Sequence, residues 1–159
     1  MPQIDVKQIE KLMEKTEELK KIASELYEKV KDSELRKEIE KLAEIKDTLT
    51  NFMLGNASEF GLYLHAPLGE EIEILVRRLS FEHIIRVPRD ASIIDVYKRF
   101  FDDQTALEKL VSKLVEAMVR VAEAVERNVD ILRRLNELEG SIGLLFNELE
   151  AIHKKLEDP

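Results

Sequence analysis

The chain has 159 residues, no cysteine and three histidines, and its 25 basic and 33 acidic side chains give a net charge of −8. Without cysteine, disulfides, thiolate metal sites and a cysteine nucleophile are excluded. Nucleic-acid binding needs clustered cations to neutralise phosphates, and no third of the chain is basic, so a nucleic-acid partner is not expected. No stretch approaches the roughly 18 uninterrupted apolar residues of a transmembrane helix, so we expect no membrane contact.

Chain-breaking and aromatic residues concentrate in the middle of the chain. The interior prolines Pro67 and Pro88 lie there, with most of the 6 Phe and 3 Tyr residues, whereas both ends are rich in helix-forming residues. We therefore predict a single domain over residues 1–159. It consists of a helical arm over 4–54, an irregular, aromatic-rich central crossover over about 55–103, and a second helical arm over 104–157.

In the N-terminal arm, apolar residues recur at steps of three and four, which is typical of a helix that packs along its length. They are Ile9, Leu12, Thr16, Leu19, Ala23, Leu26 and Val30. The phase slips at residues 31–34, where Asp32 or Ser33 can cap a new helix. We predict helices over about 4–31 and 34–54 joined by a tight turn, with one continuous helix as the alternative.

The central third has weaker periodicity. The spacing of Ile72, Leu75, Val76 and Leu79 predicts one short helix. A second short helix is predicted after a possible cap at Asp90. Its apolar residues are Ile93, Val96, Tyr97 and Phe100. The segments 56–68 and 81–88 fit no period, and a short strand at 62–64 or 84–87 is the alternative there.

The C-terminal arm is the most regular part of the sequence. Thr105 and Glu108 form a predicted capping box at its start. The apolar stripe then runs without a slip through Val111, Leu114, Met118, Val121, Val125, Asn128, Leu132, Leu135, Glu139, Ile142, Phe146, Leu149, His153 and Leu156. A second row widens it, at Leu107, Leu110, Ala117, Ala124, Ile131 and Leu138.

The length of this arm leaves two alternatives. One helix over 104–157 would be about 81 Å long, roughly twice the diameter of a compact domain of this size. Gly140 and Gly143 favour a break that folds the arm back, with Ser141 capping the next helix. The alternative is a continuous helix that projects and pairs with another chain.

These patterns together predict an all-α fold, an antiparallel helical bundle with long coiled-coil-like arms. Because the C-terminal stripe is wide enough for two neighbours, we expect a homo-oligomer, either a dimer or a tetramer. Asn128 lies in the stripe, where a buried polar residue can fix the register of an assembly. The alternative is that Asn128 faces solvent and Val129 takes the core position.

One pattern is compatible with a metal site. Glu150 and His153 form a Glu-x-x-His motif, which is half of a carboxylate-bridged di-iron or di-manganese site. Glu44 and Asp47 have the same spacing, with Asp in place of His. Further carboxylates, Glu18 and Glu126, lie at similar levels of the predicted helices. Solvated carboxylates around a packed His153 are the simpler interpretation, so we expect no cofactor, with Fe or Mn as the alternative.

Residues 20–53, including Leu26-Tyr27-Glu28 and Phe52-Met53, resemble the first helical hairpin of rubrerythrin-like and encapsulated ferritin-like proteins. The resemblance covers about a fifth of the chain. An ungapped alignment places Lys20, Ile45 and Thr48 where that family has its Glu, Glu and His ligands, so the metal ligands of this half are not retained. The resemblance implies a helical bundle rather than iron oxidation.

A second carboxylate pattern pairs Glu14-x-x-Glu17 with Glu44-x-x-Asp47. It resembles the paired motifs of all-α nucleotide pyrophosphohydrolases, which hold Mg²⁺ against a triphosphate, and hard carboxylate oxygens suit that ion. That family usually has adjacent acids, whereas Lys15 and Lys46 occupy inner positions here. Surface helix charges are the simpler interpretation.

Four arginines surround His83 in the central third: Arg77, Arg78, Arg86 and Arg89. Guanidinium groups bind phosphates and carboxylates in a fork, so this set could hold an anionic ligand or the acidic patch of a partner protein. Salt bridges to nearby acids are the alternative. His65 and His83 have apolar neighbours and are expected to be packed rather than catalytic.

The sequence thus favours a non-catalytic structural or protein-interaction protein that self-associates, with another protein as a possible further partner. A ferritin-like di-iron or di-manganese protein is the alternative, and a Mg²⁺-dependent nucleotide pyrophosphohydrolase comes third. The high Glu and Lys content and the absence of Cys are typical of cytoplasmic proteins of thermophiles, so we expect a cytoplasmic location.

Overall fold

The structure, a computed structural model, describes residues 4–157 and the side chains of residues 4–154. Its elements are, in order, α1 (Val6–Val30), α2 (Ser33–Met53), a short 3₁₀ turn (Ala57–Glu59), β1 (Gly61–Leu68), β2 (Glu71–Arg78), β3 (Phe81–Pro88), α3 (Ile93–Phe101) and α4 (Gln104–Glu157). Within the described part of the chain, no helix is both long and apolar enough to cross a bilayer.

The predicted all-α fold is wrong, because the central third forms a three-stranded antiparallel sheet in the order β1-β2-β3. Ile72, Ile74 and Val76 alternate along β2, and this period of two places them on the inner face of the sheet. The helix predicted over residues 72–79 is therefore wrong as well. The alternative strands at 62–64 and 84–87 fall within β1 and β3.

Two-residue loops close both hairpins of the sheet. Gly69 in the first loop has φ +81°, which glycine adopts without a steric penalty. Leu79 in the second loop has φ +54°, which is uncommon for a residue with a Cβ. The second loop is held in place from outside, because Ser80 donates its N–H to Glu44 Oε1 (2.8 Å) and accepts from Lys113 Nζ (3.2 Å).

The predicted turn between two N-terminal helices is confirmed. Asp32 precedes α2 and accepts a hydrogen bond from the N–H of Glu34, as expected for a capping residue. In the same way, α3 confirms the second predicted central helix, although Ser92 caps it instead of Asp90.

Helices α1 and α2 pack against the first half of α4 to form a three-helix head. Thr16 of α1 contacts Met118 of α4, with Oγ1 3.2 Å from Sδ, and Glu34 at the start of α2 is 3.4 Å from Arg127. Helix α1 therefore runs parallel to α4, and α2 runs antiparallel to it. After Ala106, the most buried residues of α4 lie at steps of four and three: Leu110, Leu114, Ala117, Val121, Ala124 and Asn128. We call this row the seam.

Helices α1 and α2 cover α4 only as far as its middle. At about 1.5 Å per residue, the 25 residues of α1 extend about 37 Å, less than half of the roughly 81 Å of the 54-residue α4. Leu132 is the last residue of α4 that packs against the core, and residues 133–154 are all exposed.

Two further predictions about the long arms are wrong. Helix α4 continues through Gly140 and Gly143, so the expected break is absent. Coiled-coil arms are not supported either, because α1 and α2 end beside the middle of α4 and no other described element packs on residues 133–154.

Five phenylalanines join the sheet, α2 and α3 at the other end of the head. Phe100 of α3 is fully buried, and its ring centroid lies 5.2 Å from that of Phe52, 5.1 Å from that of Phe60 and 5.4 Å from that of Phe101. Phe81 of β3 completes the cluster at 6.3 Å from Phe100. The aromatic central third thus serves as a cap on the helices, attached through a sheet.

Candidate interaction surface

The four arginines of the central third do not converge on one site. Arg77 pairs with Glu82 on the outer face of the sheet, and Arg86 lies 3.4 Å from Glu73. The Nε of Arg89 donates to the carbonyl of Gly69 (2.7 Å). Each of these guanidinium groups is therefore engaged within the chain.

Arg78 faces the opposite way and fastens the sheet to α2. It pairs with the Asp47 carboxylate and donates to Thr48 Oγ1 (3.0 Å), and Glu59 lies 3.9 Å away. Thr48, which the ferritin-like alignment places at a ligand position, is buried and donates to the carbonyl of Glu44 (2.9 Å). This contact stabilises the interface between helix and sheet and leaves Arg78 little exposed.

The residues of the predicted metal site lie apart. Glu44 and Asp47 on α2 are bonded to Ser80 and Arg78, whereas Glu150 and His153 lie on the exposed half of α4. Of the other two carboxylates, Glu18 is on α1 and Glu126 is on α4. Among the described residues, no group of three or more His, Asp or Glu side chains could hold a metal ion.

Three of the four carboxylates of the nucleotide pyrophosphohydrolase pattern are also engaged. Glu17 of α1 pairs with Lys46 of α2, one of the two lysines at inner positions of that motif. With Glu44 and Asp47 held by the second hairpin, these acids tie α1, α2 and the sheet together.

The sequence-based prediction missed a pair that connects β3 to the start of α4. His83 Nε2 lies 2.8 Å from Asp103 Oδ2, while Asp103 Oδ1 accepts the N–H of Thr105 (3.0 Å), so Asp103 caps α4 where Thr105 was predicted to. Burial acts to raise the pKa of the Asp103 carboxyl. The bonds and charge of His83 and the N–H groups of Thr105 and Ala106 outweigh it, so the pKa is lowered.

Because the folded-state pKa of Asp103 lies below its ordinary value of 3.8, its ionised form stabilises the folded state above that pH, and this contribution is lost as the pH falls through the folded-state pKa. We expect Asp103→Asn to lower the free energy of unfolding at neutral pH by about 1–2 kcal/mol and to flatten its decline in acid. Urea unfolding measured from neutral pH to well below 3.8 tests this. Asp102→Asn removes the same charge but leaves the His83 contact, and it should retain the wild-type acid profile.

The seam continues along α4, with the same spacing of apolar residues, beyond the point where α1 and α2 end. Successive steps of three and four from Asn128 reach seven apolar residues, each 42–57% exposed: Ile131, Leu135, Leu138, Ile142, Leu145, Leu149 and Ile152. We call this row the seam extension. Phe146 beside this row is also exposed, as is Leu144, which lies further round the helix. A contiguous apolar row of this kind typically marks an interaction site.

The predicted stripe included only part of this row. It contained Leu135, Ile142 and Leu149, with Ile131 and Leu138 in the second row, but missed Leu145 and Ile152. Ala117 and Ala124 are both buried in the seam, and steps of seven from them lead to Leu145 and Ile152. The predicted main stripe instead contained Val111 and Met118, which are only partly buried.

The protein thus consists of a three-helix head with an attached sheet, and the second half of α4 projects from this head. Comparison with protein-family models, curated proteins and solved structures gave no match for this chain. The functional argument therefore rests on the geometry of the seam extension.

Proposed function

We propose that this is a non-catalytic structural or protein-interaction protein that self-associates through its seam extension, in the cytoplasm. The proposal depends mainly on one observation. The seam, which α1 and α2 bury in the head, continues with the same spacing for seven further apolar residues that have no partner in the described chain. A surface that repeats a buried helix–helix interface is suited to another helix.

The magnitude supports association. Full burial of a Leu or Ile side chain contributes about 1.5–3 kcal/mol, and these seven are roughly half exposed. Covering them would contribute on the order of 5–10 kcal/mol per chain before the entropic cost of association, which is of similar size. Because both chains of a pair bury their rows while the cost of association arises once per pair, a net gain remains, and this favours self-association.

The side of α4 opposite the seam extension is polar enough to face solvent. Arg133, Gly140, Asn147 and Lys154 follow one another at steps of seven on that side, and none carries a large apolar side chain. A helix with one apolar face fits one interface. A second copy is the partner we favour, because every chain presents the same row.

The enzymatic alternatives have weaker support. The acids of the di-iron or di-manganese pattern and of the nucleotide-hydrolysing pattern include Glu17, Glu44 and Asp47, which bond to Lys46, Ser80 and Arg78 within the head. Nothing in the described residues favours either alternative over the interaction surface.

Light scattering of the double variant Leu138→Glu/Leu145→Glu tests the proposal. We expect the wild-type chain to have at least twice its 18.5 kDa monomer mass at micromolar concentration, and the variant to have the monomer mass, because carboxylates cannot be buried in an apolar interface. Its circular dichroism should show that the head remains folded.

The matched control is Asn136→Glu/Asn147→Glu, which adds the same two charges to exposed positions outside the seam extension. It should keep the wild-type mass. A wild-type mass near 18.5 kDa at micromolar concentration would contradict self-association.

A further inference from the structure

The way in which α1 and α2 cover α4 restricts how a second copy can reach the seam extension. Both helices lie against the seam as far as Asn128 and Leu132, and the seam extension faces the same side of α4 just beyond them. A second α4 on the seam extension would lie about 8–10 Å from the first, on the side where α1 and α2 stand.

A parallel partner in register is therefore sterically excluded. Its own α4 would continue along the seam side into the volume that α1 and α2 occupy, and its head would overlap the first head. An antiparallel partner avoids this overlap, because its head lies beyond the far end of the first helix.

From this geometry we propose that two copies pair antiparallel along their seam extensions, with the two heads at opposite ends of the assembly. This inference rests on the proposed self-association and adds the orientation and the register. In one register six of the seven apolar residues match: Leu135 faces Ile152 of the second copy, Leu138 faces its Leu149, and Ile142 faces its Leu145. This register is symmetric about the midpoint of residues 143 and 144.

In the same arrangement, the apolar face of α4 is covered first by α1 and α2 and then by the second copy. In each chain, α1 and α2 bury the seam up to Asn128, and the helix of the second copy takes over from Ile131 onwards. The intermolecular interface thus continues the intramolecular one along a single face of the helix.

Surface charge alone would favour the other orientation. In a parallel pair, Arg134 would lie opposite Glu139 of the second copy, which is attractive. Both side chains are exposed, however, and exposed ion pairs contribute little stability. The steric overlap of the two heads in a parallel pair costs more than these ion pairs contribute, so the antiparallel orientation is favoured.

Disulfide trapping tests the orientation, and the absence of native cysteine gives a clean background. We would prepare Leu135→Cys and Ile152→Cys and oxidise each variant alone and in an equimolar mixture. A disulfide requires Cα atoms within about 7 Å. In the proposed pair, residues 135 of the two copies are about 25 Å apart along the helices, whereas residue 135 of one lies beside residue 152 of the other.

We expect cross-linked dimers in the mixture and none in either variant alone. Efficient cross-linking of each variant alone would show a parallel pair and overturn the orientation while leaving self-association intact. A dimeric mass without any cross-link would overturn the register. Monomeric mass for the unmodified chain would overturn the proposed function together with this inference.

Small-angle scattering of the unmodified chain gives a second, independent measurement. Two 54-residue helices that overlap antiparallel along the seam extension are about 120 Å long in total, against about 81 Å for a parallel pair. A dimer with a maximum dimension close to the shorter value would contradict the antiparallel arrangement.

Discussion

Replacing Phe100 by alanine is expected to lower the free energy of unfolding by about 3–5 kcal/mol, the largest effect of any single substitution considered for this protein. The ring is fully buried and contacts the rings of Phe52, Phe60 and Phe101, which come from three different segments. Its loss would leave a cavity where the sheet, α2 and α3 meet. Since domains of this size are stable by about 5–15 kcal/mol, a substantial fraction of the variant should be unfolded on mild heating.

Urea unfolding at one fixed protein concentration measures this effect, because association makes stability depend on concentration. Ile94→Ala is the control: it removes a large apolar side chain from the same helix, but Ile94 is exposed, and a change within about 0.5 kcal/mol is expected. Equal losses in the two variants would mean that Phe100 does not anchor the cluster.

Asn128→Leu is expected to raise the free energy of unfolding by about 1–2 kcal/mol. Asn128 is 0% exposed, while Val129 is 43% exposed, so the alternative that placed Val129 in the core is wrong. The Nδ2 of Asn128 donates to the carbonyl of Ala124 (2.7 Å), but its Oδ1 has no hydrogen-bond partner among the described residues. Leucine would remove this buried polar atom.

The gain in stability should come with a loss of specificity. Asn128 is the last buried residue of the seam, between the part covered by α1 and α2 and the seam extension. With leucine there, the apolar row has no polar boundary, and we expect several oligomeric species by size-exclusion chromatography with light scattering. Asn128→Ala is the control, because it removes the amide without adding a large apolar surface. An unchanged melting temperature together with an unchanged single species would contradict a register role.

Periodicity and capping residues were sufficient to predict α1, α2 and α3. The steps of three and four from Ile9 to Val30, the phase slip and Asp32 specify α1, the turn and α2, and the spacing from Ile93 to Phe100 specifies α3. These features are local, since each depends on residues within a few positions of one another. The same reasoning failed at Gly140, where helix propensity over the whole arm outweighs the cost of two glycines.

The sheet was not predicted because short apolar runs are ambiguous. Ile72, Leu75 and Val76 match a helical spacing, while Ile72, Ile74 and Val76 match a strand equally well. Pairing decides between them: β2 lies between β1 and β3, so its backbone groups are bonded on both sides, and Arg78 reaches Asp47 on α2. These partners are far apart in the sequence, and no local pattern reveals them.

By itself, then, the sequence determined that the C-terminal arm is helical and carries an apolar face, because helical spacing and helix propensity are properties of neighbouring residues. It did not determine that the arm is one helix, since the break that it favoured at Gly140 and Gly143 is absent. Only the tertiary structure decided which part of that face is covered within the chain. Helices α1 and α2 extend along α4 from its start, and Leu132 is the last residue that they and the core reach. The exposed remainder, and with it the proposed interface, follows from the relative placement of three helices, which depends on packing between distant segments.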